Sequence, residues 1–185
     1  AAVIQAFAGF KGVNRRFTKV GVVGGVTIID DYAHHPVEIK EVLKAARSAC
    51  MGRVIAVVQP HRYSRLEYLF DDFSRCFEYA HTVIVAPVYA AGEDPVEGLT
   101  HEALAAQIKR AGHPHVLTVD DSRALAPLIE SDAAAGDYVM CLGAGSITLW
   151  ARELLAQLSE NRLLQMVAGP EIEIGRESRH ARQIG

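Results

Sequence analysis

The sequence has few cysteines, no Cys-x-x-Cys pair and no apolar run that approaches the length of a membrane span. Cys50, Cys76 and Cys141 lie far apart in apolar surroundings, so we interpret them as small buried hydrophobic residues of a protein in a reducing compartment. The apolar stretches fall short of the ~18 residues that a transmembrane helix needs, and no charged leader precedes an apolar core. These features predict a cytoplasmic protein without membrane insertion.

An excess of positive charge is also lacking. Nineteen Lys and Arg residues against 22 Asp and Glu residues give a formal net charge of -3, whereas non-specific nucleic-acid binding requires a basic face. We therefore expect no nucleic-acid partner. Half of the 185 residues are hydrophobic, which is enough for one domain with a sizeable core.

Several motifs of catalysis and metal binding are missing. No GxxxxGK[ST] occurs, so this chain cannot cradle a nucleoside triphosphate in a P-loop, and any P-loop must lie on another segment. The absence of GxSxG argues against a hydrolase triad. Because the eight histidines show no HxxxH or HExxH spacing, we predict no metal ligands, although His34, His35 and His61 make zinc an alternative.

Short Val- and Ile-rich runs alternate with helical patterns along the chain. The predicted strands are Val20–Val23, Thr27–Ile29, Val54–Val58, Thr82–Ala86, Val116–Val119 and Tyr138–Leu142. The predicted helices are Val37–Ala49, Leu66–Tyr79, His101–Ala111, Arg123–Ser131 and Ile147–Leu158. This alternation predicts an α/β fold, Rossmann-like and doubly wound, with a mostly parallel sheet. Gly24-Gly25 predicts an N-terminal antiparallel hairpin at one edge of that sheet.

Helix-boundary signals and changes in composition divide the chain. The predicted boundary residues are Pro36 in the first turn of a helix, Ser64, Thr100, Asp121 and Ser146 as N-caps, and Gly112 after a helix. Residues 1–19 read as a linker or the end of another domain, because "AAVIQAFAGF" resembles the interior of a protein. Residues 20–159 form the predicted domain. Residues 160–185 lose the apolar periodicity and are predicted to be a mobile tail.

Polar and glycine-rich segments follow most of the predicted strands. They are "DDYAHHP", "QPHRYSR", "APVYAAGEDP", Asp120-Asp121 and "GAGS". Because ligands of open α/β sheets bind beyond the carboxyl ends of the strands, we expect a functional site at this edge.

The first of these segments combines groups that suit a nucleotide. Asp31 can accept hydrogen bonds from ribose or lie near a metal, and Tyr32 offers a flat ring. His34 and His35 can donate to phosphate or bind a metal. In the alternative reading, Asp30 and Asp31 cap loop amides and the histidines are solvated.

The second segment places Arg62 and Arg65 at a junction between loop and helix. Two guanidinium groups beside free helix amides can trap a carboxylate or phosphate. Alternatively they pair with Glu67 or Asp71 on the surface. "GAGSIT" is half of a dinucleotide fingerprint, which tight strand-to-helix packing explains better.

Five motifs in order resemble one known family. They are "FKGVNRRF", "GVTIIDDYAHHPVEI", "VVQPHRYSR", "VYAAGEDPVEG" and "LGAGSIT", spread over roughly residues 7–150. Together they resemble the C-terminal part of the UDP-N-acetylmuramate–L-alanine ligases within the Mur ligase family of peptidoglycan synthesis. These bacterial enzymes have an N-terminal UDP-sugar domain, a central P-loop ATPase domain and a C-terminal Rossmann-like domain.

The resemblance implies a function in cell-wall synthesis. ATP would activate the muramate carboxylate as an acyl phosphate, which the amine of L-alanine attacks, with magnesium held mainly by the absent central domain. The C-terminal domain, which this chain resembles, would close over ATP and supply no nucleophile, so the chain alone is expected to be inactive.

The resemblance also implies roles for individual residues. Asp31 would contact ribose and Arg16 would lie near ribose and phosphate, with Tyr32, His34 and His35 lining the interdomain face. A second implied group would be supplied to the reaction when the domain closes: Arg62 and Arg65 next to the substrate carboxylates, with His61 beside them, and His34.

The chain departs from the family pattern at two positions. Ala33 stands where glycine is common, and Ser146 where aspartate or asparagine often stands, so Ser146 is left outside the expected site.

Other readings remain open. The murein-recycling tripeptide ligase shares a related "AHHP" segment. A nucleotide- or metal-binding module without catalysis is another class, and a structural interaction domain would leave the clustered Arg, His and Asp unexplained.

Overall fold

One six-stranded sheet forms the centre of the computed structural model, which describes residues 15–168 and the side chains to Leu164. The strands are β1 (Thr18–Val23), β2 (Val26–Asp31), β3 (Val54–Val58), β4 (Thr82–Val85), β5 (Val116–Thr118) and β6 (Tyr138–Leu142). Their order in the sheet is β1-β2-β6-β3-β4-β5. Strand β1 runs antiparallel to β2, and all other neighbours are parallel. The predicted α/β class, mostly parallel sheet and edge hairpin are confirmed.

Six helices cover both faces of the sheet among the described residues. They are α1 (Pro36–Ala49), α2 (Tyr63–Tyr68), α3 (Phe70–Arg75), α4 (His101–Arg110), α5 (Ser122–Asp132) and α6 (Ile147–Ala168). Side chains of α1 to α4 pack in one apolar layer, and those of α5 and α6 pack in the other. Strands β3 and β4 are buried along their whole length, as expected for strands covered on both faces.

Local chemistry explains several element boundaries. Gly24 and Gly25 have φ values of 60° and 82°, the left-handed pair that a two-residue hairpin turn requires. The predicted N-caps Thr100 and Asp121 each accept from helix amides, and Pro36 begins α1. Gly112, at φ 104°, directly follows the C-cap of α4.

The region after β3 differs from its prediction. One helix over Leu66–Tyr79 was expected, but α2 starts at Tyr63 and the chain leaves helical geometry at Leu69 before α3 begins. Ser64 lies inside α2, so its assignment as N-cap is wrong. Leu66 in α2 and Phe73 in α3 are both buried. Because the apolar spacing continues across the one-residue break at Leu69, the sequence pattern does not show where the break lies.

Two further boundaries move outward. Strand β1 begins at Thr18, inside the segment 1–19 assigned to a linker. Helix α6 continues to Ala168, so residues 160–168 are helical and not part of a tail. The periodicity fades there because the end of α6 leaves the core and exposes Leu163 and Leu164. The rest of the predicted tail, 169–185, lies outside the described residues, as do residues 1–14.

Candidate functional site

The sheet order brings the exits of four strands side by side. Strand β6 lies between β2 and β3, and β4 follows β3. The chain reverses its direction of travel through the sheet at β6, which is the switch point where ligands of such sheets bind. The predicted edge therefore exists as one continuous surface.

Asp31 anchors the turn at the exit of β2. It is 1% exposed, and its carboxylate accepts from the amide of Phe17 at 2.6 Å and that of Ala33 at 2.8 Å. This is the loop-capping alternative considered from the sequence. The ribose contact implied for Asp31 stays a prediction, and it requires the ribose to share or displace the Phe17 amide.

Arg15, which was not a predicted site residue, forms hydrogen bonds at two strand exits. Its Nε donates to Asp30 Oδ2 at 3.3 Å, and its guanidinium also donates to the carbonyl of Gly143 at 2.6 Å. The same Asp30 oxygen accepts from Thr148 Oγ1 at 2.7 Å, while Oδ1 is buried and has no partner in the described part of the chain. Arg15 thus ties the segment before β1 to the exits of β2 and β6.

Arg16, the linker arginine implied by the resemblance, stays exposed. Its Cζ lies 5.8 Å from the ring centroid of Tyr32, on which Arg15 also stacks at 5.0 Å. Two neighbouring arginines in a sequence carry no signal of which one turns inward, and this is why Arg15 was missed.

His35 has a structural position at the start of α1. Its Nδ1 accepts from the amide of Val37 at 3.4 Å. Glu38 Oε2 accepts from the amides of His34 and His35 at 3.2 and 3.3 Å, completing a capping box. Burial opposes ionisation of Glu38, but these two amides hold the pKa of its carboxyl below its usual value. The role of His35 at a cofactor stays a prediction.

Four rings form a row across the strand exits, which we name the aromatic row: Tyr32, His34, His61 and Tyr89. The centroids of Tyr32 and His34 are 5.1 Å apart, and those of His34 and His61 are 5.8 Å apart, both edge to face. His61 and Tyr89 stack at 5.5 Å with an angle of 14°. Segments after β2, β3 and β4 therefore contribute to one surface.

His61 and Arg65 act as a pair. Arg65 donates to His61 Nδ1 at 3.2 Å and to its carbonyl at 3.3 Å. Burial lowers the pKa of His61, and the positive charge of Arg65 lowers it further. The ring is consequently neutral at pH 7, with Nδ1 as the acceptor.

Arg62 lies beside a carboxylate that sequence reasoning missed. Its guanidinium is 3.9 Å from Glu93 Oε1, and half of its side chain is exposed. Neither Glu67 nor Asp71 pairs with Arg62 or Arg65 among the described residues. Arg62 therefore keeps a solvent-facing cation at the end of the aromatic row.

Gly145 leaves space for Tyr89 behind the aromatic row, and Gln59 holds the loop around it. Tyr89 packs so closely on Gly145 that a Cβ there would overlap its ring, and it would also overlap Gln59 Oε1. The amide of Ile147 donates to this Gln59 oxygen at 3.0 Å, and the Gln59 Nε2 donates to Ser146 Oγ at 3.1 Å. The side chain of Ser146 thus supports the loop instead of capping a helix. This contact agrees with the packing interpretation of "GAGSIT".

Other features lie away from this surface. A cavity of about 710 Å³ opens at the other end of the strands, where they begin, and His113 and His115 form part of its lining. His101 contacts the carboxylates of Glu102 and Asp120 at 3.2 Å each, both of them exposed. No described helix is long and apolar enough to span a membrane.

Comparison with known proteins identifies the domain. Residues 15–145 match the family model described as "Mur ligase, glutamate ligase domain". UDP-N-acetylmuramate–L-alanine ligase of Paramagnetospirillum magneticum is 62% identical over 157 residues, 85% of this chain and 33% of the relative. The chain thus spans about a third of the length of this relative.

Solved structures agree on the fold. UDP-N-acetylmuramate–alanine ligase of Thermotoga maritima has a TM-score of 0.67 at 24% identity, covering 87% of this chain and 34% of that chain. The murein peptide ligase of Psychrobacter arcticus also has a TM-score of 0.67, at 22% identity, covering 84% and 32%. With a family model matched over most of its length and with these folds, the chain belongs to the Mur ligase family and carries its C-terminal, glutamate ligase domain.

Proposed function

We propose that this chain is the C-terminal domain of an ATP-dependent ligase that joins L-alanine to UDP-N-acetylmuramate in the bacterial cytoplasm. The 62% identity to an enzyme of that name supports this acceptor. The folds of an alanine ligase and a peptide ligase match equally well, so the fold alone does not distinguish them. The N-terminal and central domains of the same protein are the proposed partners.

The observation that carries the proposal is the aromatic row with arginines at Tyr32, its first ring, and at His61, its third. Arg15 and Arg16 lie over Tyr32, and Arg65 contacts His61. A flat ring beside guanidinium groups suits the base, ribose and phosphates of ATP. Arg16, Asp31, Tyr32 and His35 are the proposed nucleotide-side group, and Asp31 also holds the turn that presents them. His34, the next ring of the row, belongs to the groups that closure supplies to the reaction.

The other end of the row is the proposed substrate side. Arg62 and Arg65 offer cations to the muramate carboxylate and to the phosphoryl group that activates it as an acyl phosphate. The neutral Nδ1 of His61 accepts from Arg65 and so orients that guanidinium. When the domain closes, these cations arrive together and water is excluded before the alanine amine attacks.

Magnesium would neutralise phosphate charge in this reaction. The buried carboxylates at the strand exits are already engaged within the domain, because Asp31 accepts from two amides and one oxygen of Asp30 accepts from Arg15 and Thr148. We place its ligands in the central domain.

The test is phosphate release by the intact protein. It is supplied with ATP, magnesium and UDP-N-acetylmuramate, and offered L-alanine, glycine, L-serine or the cell-wall tripeptide as acceptor. Release that depends on L-alanine supports the proposal. Release with the tripeptide alone assigns the protein to murein recycling. No release with any acceptor leaves a binding module and contradicts the proposal.

A control uses the chain by itself. We expect the 185-residue chain to fold and to bind ATP weakly at most, because it contains no P-loop. Robust ATP hydrolysis by a clean preparation would contradict its role as a closing domain.

A further inference from the structure

Helix α2 is capped by a carboxylate from a different strand exit. Glu93, in the segment after β4, accepts from the amide of Ser64 through Oε2 at 2.9 Å and from the Ser64 hydroxyl through Oε1 at 2.6 Å. Ser64 is the second residue of α2, and the N-cap residue Arg62 makes no capping bond with its side chain. The free helix amide is thus satisfied by a residue 29 positions away.

The cap is firm, whereas the contact with Arg62 is loose. The side-chain and backbone bonds from Ser64 hold the pKa of Glu93 below its usual value, so it is ionised at neutral pH. Its oxygen is 3.9 Å from the Arg62 guanidinium, beyond hydrogen-bond range. Glu93 therefore anchors the start of the helix through Ser64 and leaves the Arg62 guanidinium without a direct hydrogen bond to it.

The capped turn is strained and braced on both sides. Arg62 has a φ of 71°, a region that non-glycine residues rarely occupy unless their surroundings hold them there. The amide of Arg62 donates to the carbonyl of Tyr89 at 2.8 Å, and the amide of Tyr89 donates to the carbonyl of Pro60 at 2.8 Å. The segment 89–93 then bends back through Ala91 and Gly92, at φ 52° and 89°, to deliver Glu93 to Ser64.

We propose that Glu93 is a positioning residue: by capping α2 through Ser64 it fixes the directions of Arg62 and Arg65 toward the anionic substrate. This inference rests on the proposed ligase function. Glu93 contacts no reacting group in it and acts through the two arginines that flank Ser64 on either side of the cap.

The first test is kinetic and uses the intact protein. Glu93→Ala should lower kcat/KM for UDP-N-acetylmuramate about tenfold, since a displaced charged group commonly costs this much or more. The KM for ATP should change less than about twofold, because the nucleotide side of the row is untouched. Ser64→Ala keeps one of the two bonds and should give a smaller loss, and the double variant should resemble Glu93→Ala alone.

Two other variants test whether the effect comes from the hydrogen bonds of Glu93, from its charge or from any change in the same segment. Glu93→Gln keeps an acceptor for the Ser64 amide and a group that can meet its hydroxyl, so it should retain most activity. Glu97→Ala is the matched control, because Glu97 is an exposed acid of the same segment and should behave as wild type. Thermal unfolding of each variant shows whether it still folds.

The outcomes are distinct. Glu93→Gln as impaired as Glu93→Ala overturns the capping role, and a lower KM in Glu93→Ala overturns it in favour of a carboxylate that competes with substrate. An active wild type with Glu93→Ala equal to Glu97→Ala overturns the inference alone. A wild type without L-alanine-dependent release overturns the proposed function and this inference together.

Discussion

The ring of Tyr89 lies directly on the α-carbon of Gly145, and a Cβ at position 145 would overlap that ring. The contact joins the exit of β6 to the segment after β4, across the intervening exit of β3. Tyr89 in turn stacks on His61. The aromatic row therefore depends on the absence of one side chain behind it.

Replacing this glycine should displace the end of the row. We expect Gly145→Ala to lower the free energy of unfolding by about 1–3 kcal/mol, the usual range for overpacking. It should also separate Tyr89 from His61, which NMR of the ring protons can detect. Adding Tyr89→Ala should recover part of the loss, because it removes the overlap with the Tyr89 ring, while the overlaps with Gln59 Oε1 and with the Cβ at position 89 remain. Equal losses in the single and double variants would contradict this account.

Arg65 should affect catalysis more than stability. Arg65→Ala in the intact protein should reduce kcat/KM for UDP-N-acetylmuramate by about tenfold to a hundredfold, because a preorganised cation is removed. The hydrogen bonds of its side chain go only to His61 among the described residues, so the melting temperature should fall little. Arg75→Ala, an exposed arginine at the other end of the strands, serves as control. A large loss of melting temperature with normal kinetics would mark Arg65 as structural.

Glu38 should stabilise the start of α1. Glu38→Ala removes the acceptor for the amides of His34 and His35, and loss of a capping group typically costs about 1 kcal/mol. Urea unfolding of the 185-residue chain measures this loss. Glu41→Ala, an exposed acid on the same helix, should change stability much less. Similar values for both variants would show that the capping box contributes nothing.

Stability should fall in mild acid because two histidines resist protonation in the folded chain. Burial lowers the pKa values of His61 and His113, while an unfolded histidine titrates near 6.5. The unfolded state then binds more protons below about pH 6.5, so the free energy of unfolding decreases as pH falls through that value. Above about pH 7 both states are neutral and this dependence ends.

The pH effect has a specific control. Denaturant unfolding of the chain from pH 7.5 to 5.5 should show a weaker pH dependence in His113→Gln than in wild type. The acids with lowered pKa values act in a separate, more acidic window, because carboxyl groups already titrate well below histidine before any lowering. They are Glu38, Glu78, Glu93, Glu102 and Asp137. An unchanged slope in the variant would assign the effect to other groups.

Much of the fold could be predicted because its signals are local. The predicted β3 and β6 have the observed bounds, and the other strands differ by a few residues at their ends. Strand periodicity, the Gly24-Gly25 turn and caps such as Asp121 act within a few residues of chain. The expectation that the strand exits share one edge followed from the alternation of strands and helices, since parallel strands end on the same side.

The sequence by itself determined the α/β class, the hairpin, the end of the sheet at which the candidate site residues lie and the motifs of a Mur ligase. Only the tertiary structure decided which polar groups meet. Arg15 and not Arg16 reaches Asp30, His35 caps a helix, and Glu93 in place of Glu67 or Asp71 lies beside Arg62. The His35 cap is local, whereas the other two pairings join separate segments. The β1–β2 hairpin brings Arg15 to Asp30, and the sheet order that places β3 beside β4 brings Arg62 to Glu93. That order arises from packing of both apolar layers at once, so no short stretch of sequence contains it.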